Sequence, residues 1–146
     1  MRLHHMGFVV ADIAAAMPGF VRSMAATWDN QIFADPYQKV KVAFLTTRAG
    51  DPQIELVEPN ADDSPVLRFL QEKGGGLHHA CYEVEDLERE LSDFRSRGAV
   101  IVKRPKPAVA FNGRRIAWLL TPEKFLVELL EERAKTIAEN AGSSTE

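Results

Sequence analysis

The chain has 146 residues, 45% of them hydrophobic and 27% charged, with a formal net charge of −3. That composition suits a single globular unit with its own core, and the charge gives no electrostatic reason to expect a nucleic acid or a membrane as partner. A single cysteine excludes an intrachain disulfide framework and a cysteine-rich zinc site.

Leu3 to Val10 is apolar and β-compatible, and it ends at Asp12, a good helix N-cap. Ile13 to Trp28 then reads as a helix rich in alanine and methionine, which Pro18-Gly19 is expected to break or kink. A short strand is read near Gln31 to Phe33 and another over Val40 to Leu45. Gly50-Asp51-Pro52 marks a turn before the strand that holds Glu55. Ser64-Pro65 offers an N-cap and a first-turn proline for a short helix over Val66 to Glu72, closed by Gly74-Gly75-Gly76. Asp86 caps a further helix whose Leu87, Leu91 and Phe94 recur at helical spacing, and Gly98 stops it. Val100 to Val102 is a strand, and Asn112-Gly113 signals a tight hairpin. Ile116 to Leu120 and Phe125 to Leu130 are the last two strands. The polar, small-residue segment 134–146 is expected to be a flexible tail. The first residues enter the first strand directly, which leaves no room for a targeting peptide. No apolar run approaches the roughly 20 residues of a membrane span, so the expected location is cytoplasmic.

The chain repeats itself. Leu3-His4-His5 through Asp12-Ile13 returns as Leu77-His78-His79 through Asp86-Leu87, and Ile54-Glu55-Leu56 returns as Val127-Glu128-Leu129. Two copies at so long a period read as two similar modules packed together rather than a solenoid. Each contributes one histidine and one glutamate. On a strand, side chains alternate between faces, so His5, Glu55, His79 and Glu128 share one face. Ile54, Leu56, Val127 and Leu129 share the other, beneath the helices. The same arithmetic aims His4 and His78 away from the site, and both are read as structural. Two imidazoles and two carboxylates suit a divalent metal (Co, Ni, Zn, Mn or Mg), which offsets the cost of burying two like charges. Taken singly, each residue is more often structural; the matched spacing of the two pairs favours the metal. Cys81 reads as a small buried hydrophobe.

These segments resemble the vicinal oxygen chelate superfamily, which includes glyoxalases, bleomycin resistance proteins and dioxygenases. Within it they are most similar to the methylmalonyl-CoA epimerase family. Gln53 to Pro59, Ser64 to Leu70, Gly75 to Val84, Asn112-Gly113-Arg114 and Leu126 to Leu129 carry the likeness, the Ser64 to His79 stretch most specifically. It implies an α+β fold of two tandem βαβββ modules forming a cupped mixed sheet with helices on the outer face. The implied single domain covers 1–133: module one over 1–60, a linker helix over 61–73 and module two over 74–133.

By that resemblance His5, Glu55, His79 and Glu128 are the metal ligands. The implied reaction inverts the α-carbon of a methylmalonyl-CoA-like thioester through a metal-chelated enolate. Glu128 and Glu55 are then the candidate proton-transfer residues, since no acid occurs between Gln38 and Phe44 where some family members place a base. Arg114 and Arg115 are candidate substrate contacts, of which at most one can point into the cup. The nearby lysines read as solvated. The expected partners are a small acyl thioester and a second copy of the chain in a homodimer. A glyoxalase-type isomerase acting on a hemithioacetal uses the same ligand set. A bleomycin-resistance-type binding protein, the alternative from another class, needs no protein-bound metal.

Overall fold

The computed structural model describes residues 1–132, so the tail expected over 134–146 lies outside the described residues. The first module comprises β1 (Arg2–Val9), α1 (Ile13–Ser23), β2 (Thr27–Trp28), β3 (Phe33–Asp35), β4 (Val40–Thr46) and β5 (Gln53–Pro59). The linker helix α2 (Leu67–Lys73) leads to β6 (Gly76–Val84), α3 (Leu87–Ser96), β7 (Val100–Pro107), β8 (Arg115–Leu120) and β9 (Leu126–Glu131). The architecture is the expected α+β arrangement, with one mixed sheet in the order β2-β4-β5-β1-β6-β9-β8-β7 and β3 attached to β4. In each module the first strand pairs in parallel with the last, β1 with β5 and β6 with β9. Antiparallel pairing of β1 with β6 joins the halves. The sequence repeat is thus a repeat of strand order.

Alternation along the strands divides the apolar residues between two faces. On the outer face Ala43, Leu45 and Leu56 are buried with Ile13 and Met17 of α1, and Ile54 packs against them. Ala117, Leu119, Val127 and Leu129 do the same with Leu87 of α3, supported by Leu91 and Phe94. The four aliphatic residues assigned to the helix side all lie there. On the concave face Val9, Val40, Val42 and Val57 meet Val66, Phe69 and Leu70, so the linker helix packs inside the cup rather than outside it.

Three local expectations change. Helix α1 runs through Pro18 unbroken and ends at Ser23, short of Trp28. Pro18 and Ala14 are both exposed, so the Ala14 carbonyl that loses its intrahelical donor is open to water. Burial of Ile13 and Met17, about 1.5–3 kcal/mol each, offsets the roughly 3 kcal/mol cost of an interior proline. The chain turns at Ala25, which has a positive φ of 49°, and Trp28 joins β2. Ser64 does not cap α2 with its side chain: its backbone carbonyl accepts from the Leu67 N–H, while its buried hydroxyl has no partner. Asn112 and Gly113 do form a tight turn, at φ 54° and 82°. It belongs to a longer connection containing a 3-10 turn over Val109–Phe111, closed where the Ala108 N–H donates to the Arg114 carbonyl at 3.0 Å.

The first strand of each module has one hydrogen-bonding edge taken by the other module. Exposing that edge would also open the apolar concave face. A chain ending at Asn60 is therefore expected to show no cooperative thermal transition, unlike the full chain; a sharp calorimetric transition would contradict this.

Candidate metal centre

His5 and Glu55 reach the concave face from the paired strands β1 and β5, and His79 and Glu128 from β6 and β9. All four are buried, at 0%, 5%, 3% and 2% exposure respectively. His5 Nε2 and His79 Nε2 stand 3.3 Å apart. Glu55 Oε2 lies 3.1 Å from each. Glu128 Oε2 is 3.4 Å from His79 Nε2 and 3.9 Å from His5 Nε2. One donor atom from each residue falls within 4.8 Å of all the others. The structure brings the four together.

The electrostatics ask for a cation. Glu55 Oε2 makes no directed hydrogen bond despite these approaches, and Glu128 Oε1 has no partner either. Buried acceptors left in this state are costly. Burial opposes ionisation of Glu55, yet His5 and then His79 outweigh it and hold the carboxyl well below the usual range. Burial likewise depresses His79, but Glu128 and Glu55 push it up to about 9. Two carboxylates are recruiting positive charge from the His79 imidazole. A divalent ion supplies that charge directly, and the nitrogen and oxygen donor set suits one.

Gly7 makes room for the ring. It stands on β1 opposite His79, on the same face as His5. A Cβ there would lie 2.0 Å from His79 Cε1 and 2.5 Å from its Nδ1, so any side chain displaces the imidazole.

His4 and His78 do not point away. The register between β1 and β6 slips twice, with His4 as the extra residue between Leu3 and His5, and His78 between Leu77 and His79. Each slip is a β-bulge, which breaks the alternation and places adjacent side chains on one side. His4 Nδ1 lies 2.8 Å from His5 Nδ1, and His78 Nδ1 lies 3.0 Å from His79 Nδ1. Burial, then the neighbouring histidine, brings both His4 and His78 down to about 4. Cys81 is fully buried in the expected manner, among Phe111, Ile116 and Leu130. Its thiol is pushed up by burial and then by Glu128 and Glu55.

Glu55, His79 and Glu128 form part of the wall of a cavity of about 210 Å3, otherwise mainly apolar, with Val42, Val57, Phe111 and Trp118 prominent. Sequence reasoning missed Asp35, Trp118 and Lys103 among the residues of this wall. Asp35 accepts from the Tyr37 and Gln38 N–H groups at 2.9 and 3.0 Å and from the Val109 N–H at 3.2 Å, so it ties the two halves of the rim together. Trp118 packs edge-on against His79, with ring centroids 4.6 Å apart. Lys103 reaches the wall because β7 slips register at Val102, turning two adjacent residues to one side. Its ammonium is shifted down by burial and then by Lys106 and Lys39. The lysine expected to be solvated is half-buried in the cavity wall.

The two arginines lie elsewhere. Arg114 is held by Glu83 at 2.7 Å, and Glu83 also pairs with Arg2. Arg115 forms ion pairs with Glu88 of α3 at 2.7 Å and Glu131 at 2.6 Å. Neither lines the cavity.

Residues 4–118 match the Glyoxalase/Bleomycin resistance protein/Dioxygenase superfamily, and the chain belongs to it. Among individual relatives it is 32% identical to an ethylmalonyl-CoA/methylmalonyl-CoA epimerase of Cereibacter sphaeroides, over 88% of this chain and 96% of that protein. The methylmalonyl-CoA epimerase of Mycobacterium tuberculosis superposes with a TM-score of 0.79 at 26% identity, covering 94% of this chain and 91% of the other. A methylmalonyl-CoA epimerase in complex with methylmalonyl-CoA and NH4+ superposes with a TM-score of 0.75 at 26% identity, covering 91% and 95%. Each of these three is named as a methylmalonyl-CoA epimerase, the first also as an ethylmalonyl-CoA epimerase. Among the described residues no helix is long and apolar enough to cross a membrane.

Proposed function

We propose that this protein is a metal-dependent epimerase that inverts the α-carbon of a malonyl-type acyl-CoA thioester such as methylmalonyl-CoA. The observation that carries this reading is the convergence of His5, Glu55, His79 and Glu128, the last three of which line a mainly apolar cavity. The likeness to named epimerases supports the substrate class. A divalent ion held by these four residues would supply Lewis acidity, lowering the cost of negative charge next to a thioester carbonyl.

The chain's own groups do the rest. Val42, Val57, Phe111 and Trp118 keep water from the reacting carbon. Glu128 Oε1, buried and without a hydrogen-bond partner, accepts the α-proton. Glu55 from the other module serves the opposite face, a role that requires it first to take up a proton, because His5 and His79 otherwise hold it ionised. Lys103 offers a cation in the wall for an anionic group of the substrate.

Incubating the metal-loaded protein with methylmalonyl-CoA in D2O should incorporate α-deuterium well above the protein-free rate. Chelation should abolish the effect and re-addition of metal restore it. No exchange, combined with turnover of the methylglyoxal–glutathione hemithioacetal, would replace this reading with the glyoxalase one.

A further inference from the structure

We infer that His4 and His78 are positioning residues: each accepts a hydrogen bond from Nδ1–H of the adjacent metal-facing histidine and so fixes that ring's tautomer and orientation. The inference rests on the metal reading above and concerns residues outside the four ligands. Its first support is geometric. The metal-facing atoms of His5 and His79 are their Nε2 nitrogens, which approach each other and the two glutamates. An Nε2 offered as a lone-pair donor leaves Nδ1 carrying the proton. That proton faces His4 Nδ1 at 2.8 Å in one module and His78 Nδ1 at 3.0 Å in the other. Such a contact needs one N–H and one lone pair, so His4 and His78 are the acceptors and carry their own protons on Nε2.

The second support is that the arrangement is built twice. Neighbouring strand residues normally face opposite ways, and only the bulges at His4 and His78 bring each pair together. These bulges fall at equivalent places in the two copies of the repeat. The acceptors are themselves braced by aromatic edges: His4 by Phe111, with centroids 5.4 Å apart, and His78 by Phe69 of the linker helix at 4.9 Å. Ligating histidines generally donate their second N–H to a carboxylate, a carbonyl or water. Here the same place is taken by a second imidazole, which accounts for the paired histidines in both motifs.

The test uses Co(II) titration followed by visible absorption, with His4→Phe, His78→Phe, His4→Asn and His78→Asn beside the wild type. Phenylalanine fills the space without an acceptor, whereas the asparagine side-chain oxygen can accept from the same N–H. Each Phe variant is expected to weaken Co(II) binding about 10–100-fold and shift the absorption band. Each Asn variant should recover most of both, with metal-free melting temperatures close to wild type. Phe variants that bind Co(II) like the wild type would overturn the inference alone. A wild type that binds no Co(II) would overturn the metal reading and this inference with it. Should the Phe variants fail to fold, 15N spectra of the Zn(II)-loaded wild type decide. Nδ1–H on His5 and His79 with Nε2–H on His4 and His78 supports the inference, and any other tautomer at His5 or His79 refutes it.

Discussion

Glu128→Gln is expected to keep its metal and lose α-proton exchange from methylmalonyl-CoA by a factor of about 10²–10⁴. Glutamine keeps an oxygen donor and nearly the same volume in a site only 2% exposed, so neither packing nor coordination need collapse. What disappears is basicity at Glu128, whose Oε1 is buried without a hydrogen-bond partner. Asp35, the acid in the cavity wall outside the four-residue cluster, has both oxygens engaged by backbone N–H groups and cannot substitute without breaking the rim. Metal analysis and deuterium incorporation on the same preparation make the comparison direct. A variant with full metal and wild-type exchange would eliminate Glu128 as the acceptor.

His5→Ala and His79→Ala are expected to lose metal affinity by more than the roughly 10–100-fold associated with outer-shell partners, because each removes a donor atom outright. Gly7→Ala should approach the same result without touching a ligand. Its new Cβ would sit 2.0 Å from His79 Cε1, and relief requires the ring to leave its place. Overpacking of this kind costs about 1–3 kcal/mol of fold stability, so the variant should also melt lower when metal-free. In the wild type, metal at 1,000 times its Kd should add about 4 kcal/mol to stability, read as a higher melting temperature. All three variants should lose most of that increment. A Gly7→Ala protein with an undiminished metal-dependent rise would show that His79 does not need the space.

The repeat, the two modules and the faces of β1, β5, β6 and β9 were legible in the sequence because each is local. Period-two alternation needs only the strand itself, and it assigned Ile54, Leu56, Val127 and Leu129 to the helix side. It also assigned His5, Glu55, His79 and Glu128 to a common face. The same rule failed at His4 and His78, and Lys103, read as solvated, reaches the cavity wall for the same reason. A bulge is a property of a pair of strands, fixed by which residue of the partner lies opposite, and no single strand announces it.

By itself, then, the sequence determined the architecture and the identity of the four converging donors. A doubled pattern of apolar, histidine and glutamate residues has few ways to bury one face and gather the other. Only the tertiary structure decided what surrounds them. Arg114 and Arg115 look available in the sequence, yet Glu83, Glu88 and Glu131 from distant segments pair with them. Pro18 looks like a break, yet the core beneath α1 and water above it carry the helix through. The paired histidines look like one ligand and one bystander until two register slips turn each bystander toward its neighbour. Long-range partners set charge pairing, register and burial, and those relations exist only once the two halves of the sheet have met.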